Sequence, residues 1–170
     1  MIDYRLLTAE DAEPWLELRL RSLQLNPEAF GESVEENEHL TGSELRERVQ
    51  VVNEFPQQFI LGAYENGTLL GTNGFRRERR QKFQHKGCIW GMFVVPEARG
   101  RGIGKQLLTR LIDEVRGLGE IEQIHLWVST TSPRARALYT SMGFERIGTE
   151  HRSMRIGERY VDVHQMVLYL

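Results

Sequence analysis

The stretch MFVVPEARGRGIGKQLL, residues 92–108, decides how this chain folds. It opens with apolar residues typical of a buried strand and is interrupted by Pro96, which cannot donate a hydrogen bond to a sheet. Glycine then stands at every second position, at Gly100, Gly102 and Gly104. Beyond these glycines, apolar residues recur at helical spacing. We therefore predict a strand from Lys86 to Val95 and a helix from Gly102 to Leu118.

The turn between these two elements has the chemistry of an anion-binding site. Glycine allows a positive φ and lets a ligand approach the backbone. The first amides of a helix have no internal partner and carry partial positive charge, and Arg99, Arg101 and Lys105 add formal charge. A diphosphate is the guest that this combination favours. The alternative is an ordinary glycine-rich turn with incidental arginines.

Two common nucleotide-binding motifs do not fit this turn. A P-loop needs Ser or Thr directly after its lysine, whereas Gln106 follows Lys105. The dinucleotide fingerprint needs a third glycine where Lys105 or Leu107 stands. The turn therefore belongs to neither class.

The rest of the chain predicts further strands and helices that fit one mixed sheet. Before the decisive stretch these are a strand at Ile2–Leu7, a helix started by a Thr8/Asp11 capping box and ended by Asn26-Pro27, a loop at Phe30–Glu38, a helix capped by Ser43 and running through Val51–Val52, and strands Phe59–Tyr64 and Leu69–Phe75 joined by Asn66-Gly67. After it they are a strand at Ile124–Ser129, a helix from Ser132-Pro133 to Gly143, and strands Phe144–Gly148 and Tyr160–Leu170 around a turn near Gly157. We expect an α/β (mixed α+β) fold with a central, mostly antiparallel sheet of about seven strands and about four helices.

The composition is that of a globular protein and excludes several classes. At 170 residues, with 40% hydrophobic and 27% charged side chains, the chain fits a single domain spanning residues 1–170. A formal net charge of -2 argues against a general nucleic-acid binder. The lone Cys88 allows no intramolecular disulfide, and no cluster has zinc spacing, so we expect a reducing, cytoplasmic setting and no metal. We also expect no signal peptide and no membrane span, because no apolar segment is long enough.

A second motif lies beyond the glycine turn, and together the two resemble a known family. Arg99–Gly104 resembles the R/Q-x-x-G-x-G/A signature of the GNAT N-acetyltransferase superfamily. LWVSTTSPRARALYTSMGF, residues 126–144, resembles the family's strand–helix element ending in A-x-x-L-Y-x-x-x-G-F, with Tyr139 at the tyrosine and Gly143-Phe144 at its end. The resemblance implies an acetyl-CoA-dependent acyltransferase that moves an acetyl group directly to a primary amine of a small molecule or protein. Cys88 is not expected to act as a covalent relay.

The resemblance also implies a role for individual residues. Loop residues would bind the coenzyme A pyrophosphate: Arg99, Gly100, Arg101, Gly102, Ile103, Gly104 and Lys105. The preceding strand would bulge, splay and pair with the pantetheine arm through Met92, Phe93, Val94 and Val95. Tyr139 would be the general acid toward the leaving thiolate. Ser132 stands where relatives often have asparagine, and it either caps the helix, bonds to the cofactor, or both.

The sequence defines the general base and the acceptor amine less closely than it defines the cofactor site. Relatives often carry a glutamate on the cofactor strand, but Cys88–Phe93 has no carboxylate, so water relays ending at Glu32, Glu35, His85 or His125 are the alternatives. Acceptor choice in the family lies with Pro27–Glu38 and the last hairpin, so Phe30, Glu32 and Glu35 are candidate acceptor residues, and Trp90, near the cofactor strand, is a fourth. The acidic loop suits a cationic amine, or is simply solvated, and Trp90 either walls the acceptor pocket or is simply buried.

Two other functions stay open at this level. A non-catalytic acyl-CoA sensor or interaction module would keep Arg99–Lys105 and need no Tyr139. The basic run Arg76–Lys82 is either an exposed hairpin tip or an RNA contact, which a steep salt dependence would reveal. Homodimers are common in such folds, and the sequence does not decide this point.

Overall fold

The structure, a computed structural model, describes residues 1–40, 42–51 and 54–170. The strands are β1 Asp3–Leu6, β2 Gln58–Glu65, β3 Thr68–Arg77, β4 Lys86–Val94, β5 Gln123–Ser129, β6 Glu145–Ile156 and β7 Arg159–Tyr169. The α-helices are α1 Ala12–Leu25, α2 Gly42–Val51, α3 Ile103–Gly117 and α4 Pro133–Ser141, and short 3₁₀ turns lie at Ala9–Asp11, Pro27–Ala29, Gln81–Phe83 and Pro96–Ala98. The predicted order of strands and helices is confirmed.

All strands join one seven-stranded sheet in the order β1-β2-β3-β4-β5-β7-β6. Within the described residues β4 and β5 form the one parallel pair, and every other neighbouring pair is antiparallel. The connection between β4 and β5 is α3, as a parallel crossover requires. The expected mixed, mostly antiparallel sheet is therefore confirmed.

Helix α3 anchors the core and fixes the position of the glycine turn. Its buried side chains recur at helical spacing: Ile103, Leu107, Leu108, Leu111, Ile112 and Val115. This face packs against β2, β3 and β4, and each such side chain contributes about 1.5–3 kcal/mol by leaving water. The start of α3 is consequently held beside the end of β4.

Short-range sequence signals agree with the observed turns. The Thr8/Asp11 capping box forms, with the Thr8 amide donating to Asp11 Oδ2 at 2.8 Å. Asn66 and Gly67 have φ of 50° and 81°, as a tight hairpin requires. Gly143 follows Met142, the C-cap of α4, and has φ of 90°, which is the left-handed helix end that glycine permits.

Two predicted boundaries are wrong. Helix α2 begins at Gly42, so Ser43 lies inside it and does not cap it; the preceding Thr41 and the expected last residue, Val52, lie outside the described residues. Strand β6 runs to Ile156 and does not stop at Gly148. It is an edge strand with mostly exposed side chains and two register shifts, so it lacks the alternation that marks a half-buried strand.

In the part of the chain that the structure describes, no helix has the length and apolar character needed to span a bilayer.

Candidate active site

The candidate site opens where β4 and β5 separate. The two strands pair at three positions, from Lys86 with Gln123 to Cys88 with His125. Beyond them β4 continues to Val94 and β5 to Ser129 with no further pairing between them in the described residues. The edge of β4 that faces the gap therefore has no strand neighbour.

A bulge at Gly91 changes the direction of β4 at this gap. Thr72 pairs with Phe93 and Gly74 with Trp90, so β4 holds one more residue than β3 between these pairs. Gly91 has φ of 63°, which glycine adopts without strain. The Thr72 hydroxyl donates to the Gly91 carbonyl at 3.3 Å. The bulge expected before the Met92–Val95 stretch is present, and a bulge bends the strand that carries it.

The glycine turn presents the open start of α3. Gly100 and Gly102 have φ of 78° and 77°, and Gly102 is the N-cap residue with no side-chain cap. A Cβ added to either would have no neighbour within 4 Å, so backbone conformation requires glycine there and crowding does not. Gly104 has no positive φ, and a Cβ there would lie 3.4 Å from Met92 Cε. The first amides of α3 are thus accessible to an anion.

A cleft of about 800 Å³ runs from this turn along the end of β4 to α4. Of the predicted site residues it is lined by Phe30, Met92, Phe93, Val94, Arg99, Gly100, Gly102, Ile103, Gly104, Lys105, Ser132 and Tyr139. Its other lining residues include Asn26, Ala29, Ala98, Thr131, Pro133, Arg134, Ala135 and Leu138. One cleft therefore joins both sequence motifs.

The loop cations do not all face this cleft. Arg101 forms a bidentate ion pair with Glu65, with distances of 2.6 and 2.9 Å, and does not line the cleft. Arg99 lines it, but its Nε donates to the Val94 carbonyl at 2.9 Å and so secures the end of β4. Lys105 lines the cleft as well. Val95 is buried outside it and donates its amide to the Leu70 carbonyl at 2.9 Å.

Tyr139 meets the cleft at Met92, two residues before the end of β4. Its side chain is buried and packs edge-on against Phe144, with ring centroids 5.8 Å apart. Its hydroxyl donates to Met92 Sδ at 3.4 Å, and a thioether is a weak acceptor. Burial raises the pKa of Tyr139 to about 12, so the phenol is protonated at neutral pH.

Ser132 begins α4 without capping it through its side chain. It is the N-cap residue, yet its hydroxyl makes no cap hydrogen bond. Ser132 lines the cleft, so its hydroxyl is available to a ligand. Thr131 and Arg134, which sequence reasoning missed, line the same cleft. A signal for them existed, because the carboxyl ends of two parallel strands lie at one edge of a sheet, where ligands bind.

A second, smaller cavity of about 80 Å³ adjoins the cleft and has aromatic walls. Phe30, Trp90 and Trp127 line it, and the predicted acceptor residue Trp90 packs across Gly74 of β3. The residues that it shares with the cleft are Ala29, Phe30, Met92, Ser132, Ala135 and Tyr139. We call it the inner pocket. The two cavities meet at Tyr139.

The acidic residues predicted to contact an acceptor lie elsewhere. Glu32 pairs with Arg19 at 3.3 Å and Arg48 at 3.4 Å, and accepts from Asn37 at 3.1 Å. Burial alone would raise the pKa of Glu32, but Arg19, the Asn37 amide and Arg48 outweigh it, so the pKa lies below its usual value. Glu35 is exposed, and neither glutamate lines the cleft or the inner pocket.

The two candidate histidines lie at the paired end of β4 and β5, away from Tyr139. His85 directly precedes β4, and His125 is in register with Cys88. His125 Nε2 contacts Gln123 Oε1 at 3.1 Å, and burial, followed by the charge of Lys86, lowers its pKa. Neither histidine lines the cleft.

Comparison with known proteins identifies this arrangement. The model of the acetyltransferase (GNAT) family matches residues 13–144, and the chain belongs to that family. A curated relative, N-alpha-acetyltransferase RimI from Mycobacterium tuberculosis, is 37% identical over 102 residues, which are 59% of this chain and 61% of that protein. The chain thus spans about three fifths of that relative.

Solved structures match the whole fold. An acetyltransferase of the GNAT family from Streptococcus pneumoniae has a TM-score of 0.89 and 23% identity, covering 100% of both chains. The ribosomal-protein-alanine N-acetyltransferase from Brucella melitensis has a TM-score of 0.84 and 25% identity, covering 99% of both chains. The seven-stranded sheet parted between β4 and β5 is therefore a GNAT fold.

Proposed function

We propose that this chain is an N-acetyltransferase that takes the acetyl group from acetyl-CoA and places it directly on a primary amine. The observation that carries the proposal is the order of features along one cleft. An open helix start with left-handed glycines comes first, the free edge of β4 second and the protonated phenol of Tyr139 last. Acetyl-CoA has a diphosphate, an amide-bearing arm and a thioester in the same order.

The residues present fit this molecule. The empty space around a Cβ at Gly100 or Gly102 leaves room for a diphosphate against the first amides of α3. Two loop cations, Arg99 and Lys105, line the same cleft. The free edge of Met92–Val94 can pair with the amides of the arm as an added strand would. Ser132 offers a hydroxyl from the opposite wall.

Tyr139 supplies the proton that the reaction needs at its end. When bound, acetyl-CoA supplies an activated acetyl thioester. Tyr139 donates its phenolic proton to the sulfur as the carbon–sulfur bond breaks and the new carbon–nitrogen bond forms. The acceptor must lose a proton, and none of the four candidate bases lines the cleft. We propose that water entering the cleft takes this proton.

The experiment that tests the proposal measures acetyl-CoA binding and thiol release across a panel of amines. We expect Tyr139→Phe to bind acetyl-CoA normally and to lower turnover at least tenfold, about 1.4 kcal/mol of barrier. Tyr169→Phe is the matched control, because Tyr169 is exposed at the end of β7 and lines neither cavity. Failure to bind acetyl-CoA would overturn the proposal. Binding without turnover on any amine would favour the non-catalytic sensor.

The proposal also covers the domain organisation, the location and the acceptor of the protein. We propose that residues 1–170 form a single N-acetyltransferase domain, which agrees with strands from both ends of the chain sharing one sheet. The buried free thiol of Cys88 agrees with a reducing cytoplasm. The acceptor is a small-molecule or protein amine, and the expected homodimer stays a prediction that analytical sedimentation would test.

A further inference from the structure

The inner pocket gives the acceptor a space of its own beside the reacting atoms. Met92 and Tyr139 line both this pocket and the cleft, whereas none of the loop residues Arg99–Lys105 lines the pocket. In the proposed reaction the thioester lies at Tyr139, so the amine must approach it there. Since the donor occupies the cleft, the rest of the acceptor extends into the inner pocket.

The walls of the inner pocket are uncharged. The side chains that line it among the described residues are aromatic, aliphatic or hydroxyl-bearing, without a carboxylate, ammonium, guanidinium or imidazole group. Ser129 Oγ is engaged with Thr131 Oγ1 at 2.7 Å, and the Tyr139 hydroxyl donates to Met92 Sδ. A charged group in this pocket would lose water without gaining a charged partner, which is unfavourable. The pocket therefore suits an uncharged, apolar group.

A buried cation behind the Phe30 wall also opposes a second positive charge. The Phe30 ring covers the guanidinium of Arg19, with its centroid 4.8 Å from Arg19 Cζ, and arginine stays charged in proteins. Glu32 pairs with Arg19 at 3.3 Å and with Arg48 at 3.4 Å, so this carboxylate is shared between two guanidinium groups. An aromatic face can hold an ammonium ion, but like charges repel more strongly away from water. An acceptor with a second ammonium group is consequently disfavoured.

Trp127 forms a wall of the inner pocket that is open to solvent. It lies on β5, in register with Gln165 of β7, and is 52% exposed although it lines the pocket. By contrast, Trp90 packs closely across Gly74. An apolar group in the pocket would remove part of the Trp127 indole from water, which favours binding. Trp127 should therefore add to acceptor affinity and limit the size of the bound group.

We infer that the acceptor is a primary amine with an uncharged aliphatic chain, which the inner pocket holds against Trp127. The inference rests on the proposed acetyl transfer and names the substrate class for it. The pocket measures about 80 Å³. Since an apolar cavity of about 150 Å³ holds a benzene molecule, roughly three carbons fit in this pocket. A free alkylamine supplies such a chain, and so does the first residue of a polypeptide when its side chain is aliphatic.

The test compares n-butylamine with 1,3-diaminopropane, in which a second amine replaces the terminal methyl group. The kcat/KM for thiol release, expressed per free amine group, should be at least tenfold higher for n-butylamine. N-butylacetamide should bind to the protein saturated with coenzyme A at least tenfold more tightly than N-(3-aminopropyl)acetamide. Calorimetry measures this second difference and needs no turnover. L-norvalinamide distinguishes the two sources, because a higher kcat/KM than that of n-butylamine indicates a polypeptide N-terminus and a lower one a free amine.

Trp127→Ala tests the wall itself. The kcat/KM for n-butylamine should fall at least fivefold, and the ratio of benzylamine to n-butylamine should rise at least tenfold, because the pocket opens to a phenyl ring. Ile147→Ala is the matched control, since Ile147 is 51% exposed on β6 and lines neither cavity. It should leave both values within about twofold. An unchanged ratio in Trp127→Ala would overturn the role of this wall.

The outcomes separate this inference from the proposed function. Equal rates on n-butylamine and 1,3-diaminopropane would overturn the inference and leave acetyl transfer intact. A preference for the diamine would overturn it as well, in favour of ammonium binding by the aromatic walls. If Trp127→Ala does not fold, the comparison of the two acetamides on the unaltered protein still decides the question. Absence of acetyl-CoA binding would instead overturn the proposed function and this inference with it.

Discussion

Gly100 and Gly102 hold φ angles of 78° and 77°, whereas Gly104 two residues later does not have a positive φ. An L-residue in the left-handed region costs roughly 1–2 kcal/mol, so only the first two positions require glycine for their backbone. At Gly104 an alanine would make ordinary contacts with Met92 and Leu138. The alternating glycines therefore have different reasons for being there.

Replacing Gly102 should weaken donor binding as well as stability. We expect Gly102→Ala to lose about 1–2 kcal/mol of unfolding free energy from backbone strain and to raise the Kd for acetyl-CoA about tenfold, because the first amides of α3 shift. Gly157→Ala is the matched control, since Gly157 has φ of 60° in the distant β6–β7 turn. It should lose similar stability and keep the affinity. Calorimetry and urea unfolding measure the two quantities, and equal affinity in both variants would contradict the role of the loop.

The rate should rise with pH and should not fall again within the usual pH range. Burial raises the pKa of Tyr139 to about 12, so the phenol stays a proton donor throughout the usual range. No histidine or carboxylate of the candidate set lines the cleft, so the free fraction of the amine controls the rate. We expect kcat/KM to rise about tenfold per pH unit up to the pKa of the amine. A plateau that begins near pH 7 would instead indicate a base within the protein.

At the scale of elements, several polar contacts hold the turn that leads from β1 into α1. Arg5 donates to both oxygens of Asp11 at 2.7 and 2.8 Å, and the Thr8 amide donates to the same carboxylate at 2.8 Å. The Asp11 side chain is 8% exposed. The Arg5 hydrogen bonds hold the pKa of Asp11 well below its usual value. This cluster joins the first strand to the first helix.

Removing this charge should destabilise the protein in a pH-dependent way. A carboxyl with a depressed pKa stabilises the fold fully above its unfolded value of about 3.9, and this stabilisation is lost as pH falls toward the folded value. We expect Asp11→Asn to cost about 2 kcal/mol at pH 7, with the difference from wild type shrinking below about pH 4. Glu13→Gln, in the exposed first turn of α1, is the control. Urea midpoints from pH 2 to 7 measure both, and a constant difference would contradict the assignment.

Elements with local signals could be predicted from sequence, and those decided by tertiary partners could not. Asn66-Gly67 and Ser132-Pro133 set their turns within a few residues, and both were located correctly. Strand β6 is specified by its pairing with β7, which has two register shifts. Its own sequence is mostly polar, so the predicted strand ended at Gly148 and not at Ile156.

The candidate site shows the same difference between features with local sequence signals and features set by long-range contacts. The glycine turn and Tyr139 were identified from contiguous motifs, and one cleft contains both. The side-chain charge of Arg101 was expected to add to the anion site, whereas its guanidinium pairs with Glu65 of β2. Glu32 was considered either for a cationic amine or as part of a solvated acidic loop, whereas Arg19 and Arg48, from two different helices, pair with it. Spacing along the chain carries no information about such long-range charge pairs.

At the scale of the whole molecule, the segment after α1 is tied across the rim of the cleft. Glu28 accepts hydrogen bonds from Thr131, which precedes α4, and from Arg159 at the start of β7. Thr131, followed by Arg159, holds the pKa of Glu28 below its usual value. Arg159 is exposed and Glu28 is partly exposed, so the contact orders the segment more than it stabilises the fold.

Breaking this tie should loosen the segment without unfolding the protein. We expect Arg159→Gln to speed amide hydrogen exchange at residues 26–31 severalfold while the thermal midpoint hardly changes. Arg155→Gln is the control, because the side-chain contacts of Arg155 among the described residues are with its own β6–β7 hairpin, at the Gly157 carbonyl and the Tyr160 ring. Exchange mass spectrometry reports the difference, and identical exchange in both variants would show that Glu28 does not hold the segment.

Because β4 and β5 separate, the cellular amount of this protein should depend on the supply of acetyl-CoA. Three paired positions join β1–β4 to the group of β5, β7 and β6, so a molecule lying in the gap would replace the missing contacts between two half-sheets. A ligand at a hundredfold excess over its Kd adds about 2.7 kcal/mol to folding stability. Differences of 1–2 kcal/mol change protein abundance in cells severalfold. We therefore expect the amount of this protein to fall when acetyl-CoA is scarce, even at constant synthesis.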